Sequence, residues 1–360
     1  MAEFSPMMQH YLATKSQYKD CILFYRLGDF YEMFFDDAIT TSRELELTLT
    51  GKDCGQEERA PMCGIPYHAA ENYISKLISK GYKVAICEQL EDPKLAKGIV
   101  KRDVIRVVTP GTVMESNLLE EKKNNYIMSI YKSGIFYGVT VCDISTGDFR
   151  TTQIKDHNNF AMLLDEISRY SPAEIIVNPM MAECTEEIDR IRERFEIYVT
   201  KLEESEFLGD YKVIDERYHL QDDNGEFVET IKDKGLCVAS TSGLIKYLLD
   251  TQKNSLDHIN TLKIYSTTKY MSLDINARRN LEITEKLRDK SKKGTLLWVL
   301  DKTSTAMGGR LLRRWLSDPL IDSKQINSRL DAVEELKNDL ILKGDIIDLL
   351  SSLPPIAVDV

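Results

Sequence analysis

The first hundred residues alternate short apolar runs with helical spacings. Ser5-Pro6 supplies a cap and a first-turn proline ahead of Met7, Tyr11 and Leu12, which predicts a helix fading near Lys19. Apolar residues 21–25 and a second run from Phe30 flank Gly28-Asp29, the pattern of two strands paired across a turn. Strand side chains alternate between faces, so Tyr31, Met33 and Phe35 predict one apolar face on the core, with Phe30 and Glu32 facing out together on the other. Asp36-Asp37 places negative charge at the start of a second helix reaching about Leu45. Residues 48–50 read as a short strand and 51–59 as a polar loop. A third helix from about Ala70 carries Tyr73, Ile74, Leu77 and Ile78 on one side and stops before Gly81. Strands over 83–87 and 104–108 complete a small mixed α/β domain spanning 1–112.

Residues 113–124 are charged and aperiodic, which predicts a linker. Three alternating runs follow, 126–131, 135–143 and 148–153, joined by Ser- and Gly-containing turns as a meander. Phe160, Leu163, Leu164 and Ile167 lie at helical spacing, Pro172 marks the stop, and 174–177 is a buried type of strand. With a helix over 184–195 and a strand over 197–200, this β-β-β-α-β order suits an RNase H-like α/β domain over 125–240. From Thr241 the pattern is helical almost throughout: Leu244, Ile245, Leu248 and Leu249 form one stripe, Leu273, Leu281 and Leu287 another, and Ile326, Leu330, Val333, Leu336 and Leu340 a third. This predicts an all-α segment over 241–360, interrupted near its end by Pro354-Pro355. The expected class is therefore α/β and multidomain.

Composition adds limits. A chain of 360 residues exceeds one ordinary core, so two or three domains are expected. The net charge of −11, from 47 basic and 58 acidic residues, means that attraction to nucleic acid would have to be local. Seven cysteines, at 21, 54, 63, 87, 142, 184 and 237, show no metal-type spacing and read as reduced cytosolic thiols. With no apolar run near the roughly eighteen residues of a membrane span, the expectation is a soluble, cytoplasmic protein.

Several candidates for chemistry stand out. Lys94, Lys97, Lys101, Arg102 and Arg106 face one acid, Asp103, giving a local charge of +4 over 94–106. That stretch is either a solvated loop or a set of phosphate contacts. His68 has no second ligand at metal spacing and reads as a structural histidine. Asp143 ends a strand where an RNase H-like nuclease carries a metal-binding carboxylate, which defines an alternative function. Its possible companions converge poorly: Asp148 starts the next strand, and Glu166 is expected to face away from the apolar stripe of its helix. No Gly-x-x-x-x-Gly-Lys-Ser/Thr phosphate loop occurs, and the nearest glycine-rich stretch, Met307-Gly308-Gly309-Arg310, lacks its spacing and lysine.

Four blocks then carry a resemblance: Gly28-Asp29-Phe30-Tyr31-Glu32 with Phe34 and Asp36-Asp37-Ala38; Met62-Cys63-Gly64-Ile65-Pro66-Tyr67-His68-Ala69; Ala85-Ile86-Cys87-Glu88-Gln89; and Thr109-Pro110-Gly111-Thr112. In order and spacing the chain resembles the N-terminal part of the MutS family of bacterial DNA mismatch repair proteins. Met271-Ser272-Leu273-Asp274, Arg278 to Ile283, and Met307 to Leu316 resemble the start of that family's helical lever domain. The resemblance implies that Phe30 and Glu32 form the Phe-x-Glu motif: Phe30 wedges beside a mispaired base from the minor groove, and Glu32 hydrogen-bonds that base. It also implies phosphate contacts from the basic stretch and a connector domain without catalysis that contacts the MutL protein. The expected partner is double-stranded DNA with mismatches or small loops. The family's ATPase, which uses ATP and magnesium, and its homodimer contacts would lie beyond residue 360, so neither cofactor nor catalysis is expected here.

Overall fold

A computed structural model describes residues 4–91, 100–114, 120–157, 160–253 and 256–353. By its contacts the chain divides into two units, residues 1–113 with 245–256, and residues 114–244 with 257–360.

The first unit contains α1 (Pro6–Gln17), β1 (Cys21–Leu27), β2 (Phe30–Phe34), α2 (Phe35–Leu45), β3 (Thr50–Lys52), β4 (Ala60–Pro66), α3 (Ala70–Ser79), β5 (Lys83–Gln89) and β6 (Arg102–Val108). The strands form one mixed sheet in the order β3-β4-β2-β1-β5-β6, in which β1 and β5 are parallel and the other neighbours antiparallel. Alternation buries both faces. Leu23, Tyr25, Phe34 and Cys87 pack with Met8 and Tyr11 of α1 on one side. Ile22, Phe24, Met33, Ile65 and Val84 are buried on the other, where α2 and α3 bring Ala38, Ile74 and Leu77.

Two sequence expectations change here. Phe35 does not join the Tyr31/Met33 face. Strand β2 passes into α2 without a loop, Phe35 takes φ +52°, and its ring turns to the α1 side beside Tyr11 and Phe4. Residues 60–66 form a full strand that the sequence pattern hides behind Pro61 and Pro66, and the short strand lies over Thr50–Lys52 rather than 48–50.

The second unit holds β7 (Ile127–Ser133), β8 (Phe136–Asp143), β9 (Asp148–Lys155), α4 (Ala161–Tyr170), β10 (Glu174–Val177), α5 (Pro179–Ala182), α6 (Thr185–Phe195), β11 (Tyr198–Lys201), α7 (Tyr211–Arg217), β12 (His219–Gln221), the start of α8 (Gly235–Gln252) and β13 (Thr261–Ile264). Its sheet runs β11-β10-β7-β8-β9-β13-β12. Meander β7–β9 is antiparallel and the flanking strands join in parallel, as an RNase H-like order requires. One face carries Met128, Ile130, Val139 and Val141 against Leu163 and Ile167 of α4 and Ile188 of α6.

On the other face α8 approaches closely. A side chain at Gly138 would place its Cβ 2.0 Å from the Leu236 carbonyl oxygen. Beside it, Thr140 Oγ1 lies 2.9 Å from Thr151 Oγ1 and 2.7 Å from Ser240 Oγ. The helical pattern expected from Thr241 is thus interrupted by β13, which pairs with β9, and Leu281 and Leu287 lie outside any helix. After α9 (Ile275–Asn280) come α10 (Leu296–Leu300), α11 (Ala306–Ser317), α12 (Ser323–Asn338) and α13 (Leu340–Ser351). Among the described residues, no helix is long and apolar enough to cross a membrane.

The close packing of α8 on β8 is testable because both tryptophans, Trp298 and Trp315, report on the second unit. Gly138→Ala is expected to lower the stability of that unit by about 3 kcal/mol, since backbone must move. Gly134→Ala is the control: its φ is +62°, nothing lies near its Cβ, and it should cost about 1 kcal/mol. Urea unfolding followed by tryptophan fluorescence checks the difference; equal losses would contradict the close approach.

Candidate nucleic-acid interface

The turn between β1 and β2 closes with Leu27 opposite Phe30, and Gly28 turns the chain with φ +59°. Phe30, Glu32 and Phe34 share the α1 face of the sheet, but α1 covers only its far end. Phe34 is buried edge-on against Tyr11, with ring centroids 4.9 Å apart. Phe30, at the near end, is 48% exposed while its neighbours Tyr31 and Met33 are buried. A rigid, doubly packed strand therefore presents one aromatic ring at its tip.

The opposite face of the sheet, which Tyr31 shares with its cross-strand partner Arg26, carries a cluster of polar groups near the same turn. Pro66 pairs with Phe30, and the next residue, Tyr67, donates its backbone N–H to the Asp29 carbonyl at 3.0 Å. Tyr67 is itself exposed, with the Arg26 guanidinium 3.6 Å from its ring centroid. Arg26 also reaches Glu88 at 3.3 Å, and Glu88 accepts a short hydrogen bond from the Tyr31 hydroxyl. Burial, then that carboxylate, pushes the Tyr31 phenol well above its ordinary pKa.

Glu32 is less open than the alternation predicts. Its side chain is half-buried in a close ion pair with Lys52 of β3, whose ammonium also lies 5.7 Å from the Phe34 ring centroid. Lys52, Arg26 and Tyr67 were not singled out by the sequence reading, although Tyr67 stands in the second resemblance block. Their positions follow from strand register, Arg26 from that of β1 with β2, Tyr67 from that of β2 with β4 and Lys52 from that of β4 with β3, which charge and spacing do not reveal.

The basic stretch separates into distinct roles. Lys94 and Lys97 lie outside the described residues. Lys101 is exposed. Arg102 is buried: Nε donates to the Arg26 carbonyl at 2.8 Å, one terminal nitrogen to the Val100 carbonyl at 2.9 Å, and the guanidinium rests 5.3 Å from the Tyr25 ring centroid. Arg106 is half-buried and donates to the Thr112 carbonyl at 3.1 Å. In this structure both arginines brace strand and loop backbone rather than standing open to a phosphate.

The other candidates resolve similarly. Asp143 is buried, and its carboxylate accepts from Asn124 Nδ2 at 2.7 Å and from the Ser145 hydroxyl and N–H at 2.7 and 3.0 Å, as a turn cap does. Asp148 pairs with Arg150 at 2.9 Å and accepts from the Tyr126 hydroxyl at 2.6 Å. Glu166, expected to face outward, is instead buried, held by the Tyr265 hydroxyl at 2.7 Å and Arg169 at 3.3 Å. His68 is exposed, with an edge contact to Tyr67. In residues 307–310, Gly308 N–H donates to the Thr305 cap at 3.0 Å, and Gly309 lies close against the Lys122 side chain.

These features define a multidomain α/β protein in which a small mixed domain displays one ring at a strand tip, followed by an RNase H-like domain and helices. Family models described as MutS domain I, MutS domain II and MutS domain III match residues 5–117, 125–260 and 276–360, and the chain belongs to the MutS family. It is 56% identical over 352 residues to the DNA mismatch repair protein MutS of Ruminiclostridium cellulolyticum, covering 97% of this chain and 40% of that protein. The protein of the same name from Acetivibrio thermocellus is 52% identical over 353 residues, covering 98% of this chain and 40% of its own length. The chain thus spans about 40% of the length of these curated relatives.

The buried and exposed cations should behave differently. Arg102→Ala removes a charged donor from two carbonyls and should cost about 2 kcal/mol of stability, whereas Lys101→Ala should stay within about 0.5 kcal/mol of the parent. Chemical denaturation followed by circular dichroism separates them, and an Arg102 variant as stable as the parent would show that its bonds are not structural.

Proposed function

We propose that this chain recognises mismatched DNA, with Phe30 as the intercalating wedge and Glu32 as the group that hydrogen-bonds the displaced base. The observation that carries the reading is the exposed Phe30 ring on a strand whose next residues are fixed on both faces. A wedge must not collapse back onto its own protein, and it must not yield when pressed between bases. The family membership supports the assignment, because Phe30 and Glu32 fall on the Phe-x-Glu motif.

Deformability supplies the selectivity. A mispaired step stacks poorly and kinks at lower cost than a matched one, where unstacking takes about a few kcal/mol. One aromatic–base stacking contact returns about 1–3 kcal/mol. Matched DNA therefore roughly breaks even on insertion, and a mismatch gains. Glu32 adds a second filter: a carboxylate near phosphates is repelled unless a displaced base offers it a donor. Lys52 neutralises part of that charge, so the repulsion is milder than that of a bare carboxylate.

Around this centre, Lys101 with Lys94 and Lys97 would contact phosphates and set register. Mismatch repair, a connector contact with the MutL protein, homodimerisation, and an ATPase using ATP and magnesium are the roles expected of the whole protein. The residues described here serve as its reader and connector.

The two motif residues should fail in opposite ways. Phe30→Ala is expected to weaken binding to a G·T duplex about tenfold while leaving matched binding near the parent value. Glu32→Ala should instead tighten matched binding by about threefold. Paired fluorescence titrations at one salt concentration, with circular dichroism to confirm folding, read both; a Phe30→Ala variant that keeps full mismatch preference would refute the wedge. Neutralising Lys97 and Lys101 together should weaken both complexes alike and reduce the slope of log affinity against log salt by about two. A loss confined to the mismatch would move these lysines into readout.

A further inference from the structure

Away from the proposed DNA-reading strand, the second unit contains a cavity of about 540 Å³ between α4, α6, the 275–290 segment and α11. We infer that this cavity is a binding site for a compact polyphosphate anion, held by Arg279, Lys286 and Arg313.

Charge is the first observation. Ten Lys or Arg residues line the cavity against four acids, Glu193, Glu196, Glu285 and Asp318, in a chain whose net charge is −11. Counting the buried carboxylates behind the wall, Glu166 and Asp148, leaves cations still in the majority. A concave wall in which cations are in the majority raises the local concentration of anions.

Three of the four acids are already engaged, and the fourth, Glu193, is exposed. Asp318 accepts both arms of Arg169, at 2.8 and 3.0 Å. Glu285 is shared by Lys123 at 3.1 Å and Arg313 at 3.5 Å, and Glu196 takes Lys290 at 2.6 Å. Three donors remain. The side chains of Arg279 and Lys286 make no hydrogen bond or ion pair among the described residues, and Arg313 Nε is buried without a hydrogen-bond partner. Burial, with Arg169 among the neighbouring charges, also depresses the pKa of Arg278 in the same wall. The exposed Arg279 guanidinium, the Lys286 ammonium and the one unsatisfied nitrogen of Arg313, which otherwise pairs with Glu285, can together meet an oxyanion with several acceptors.

Size and geometry select the class. The volume falls in the range of small-ligand sites, about 300–1,000 Å³, and cannot admit a duplex. Phosphate oxygens match the planar arginine fork, and a chain of phosphates spans several cations at once. Two sources share this chemistry, a nucleotide's phosphate tail and a terminal phosphate of single-stranded DNA.

The test is calorimetric titration of the full chain with sodium tripolyphosphate at constant ionic strength, with sulfate as background. Arg279→Ser with Lys286→Ser is compared with Lys337→Ser with Lys343→Ser, a control on α12 and α13. The expected result is saturable one-to-one binding that weakens at least tenfold in the first variant and is unchanged in the control, both showing the parent's unfolding transition. Displacement by ATP without magnesium assigns the source to a nucleotide; displacement only by a 5′-phosphorylated oligonucleotide assigns it to DNA. Absence of saturable tripolyphosphate binding, equal weakening in both variants, or binding of a polyglutamate peptide in its place would overturn the proposal.

Discussion

A buried carboxylate holds the helices and sheet of the first unit together. Asp37, in the first turn of α2, accepts the Leu23 N–H of β1 at 2.9 Å, the Tyr11 hydroxyl of α1 at 3.2 Å and the Lys15 ammonium of α1 at 2.9 Å. One side chain thus ties two helices to β1, the central strand on which β2 pairs. Tyr11, fixed in this way, lays its ring on Phe34 and gives its hydroxyl to the Phe34 carbonyl at 3.3 Å. Burial, then the neighbouring Asp37 carboxylate, pushes that phenol well above its ordinary pKa. Because α1 is pinned at Phe34, its cover stops two positions short of Phe30 along the same face. The exposed ring is a consequence of where the helix is anchored.

A related logic runs through the second unit. Arg169 joins Glu166 on its own helix to Asp318 beyond α11, and Asp148 joins Arg150 to Arg314. Glu166, Arg150 and Asp318 are buried and Arg169 is half-buried. Buried pairs of this kind add little net stability over apolar packing, but losing one partner costs about 3–5 kcal/mol. They fix how the helical segment meets the connector sheet. That arrangement also concentrates arginines around one cavity.

Much of this architecture was legible in the sequence, and the gaps have physical causes. The meander, its helix and the 174–177 strand follow from strict alternation and clear turn residues. Residues 60–66 were missed because prolines at both ends mask a strand whose partners are distant in sequence. Phe35 was assigned the wrong face because alternation assumes β geometry, and its left-handed backbone breaks it. At the site, alternation beyond the turn sets Phe30 facing out, and its role as a wedge comes from the family resemblance. Lys52 was missed, because the Glu32–Lys52 pair depends on a third strand's register. Counting charge over 94–106 likewise could not tell Lys101 from Arg102, since only burial distinguishes an exposed cation from one bonded to backbone carbonyls.

The central claim is that one anchored aromatic turns poor stacking at a mispair into binding energy. Its most direct test is titration of this chain against a duplex with a G·T mismatch or an unpaired T, and against the matched duplex, at several salt concentrations. Phosphate contacts are common to all three duplexes and weaken together as salt rises, whereas stacking does not depend on counterion release. The account predicts tighter binding to both defects at every salt concentration, with a ratio to matched DNA that persists as absolute affinity falls. Equal affinity for defective and matched duplexes across the series would contradict it.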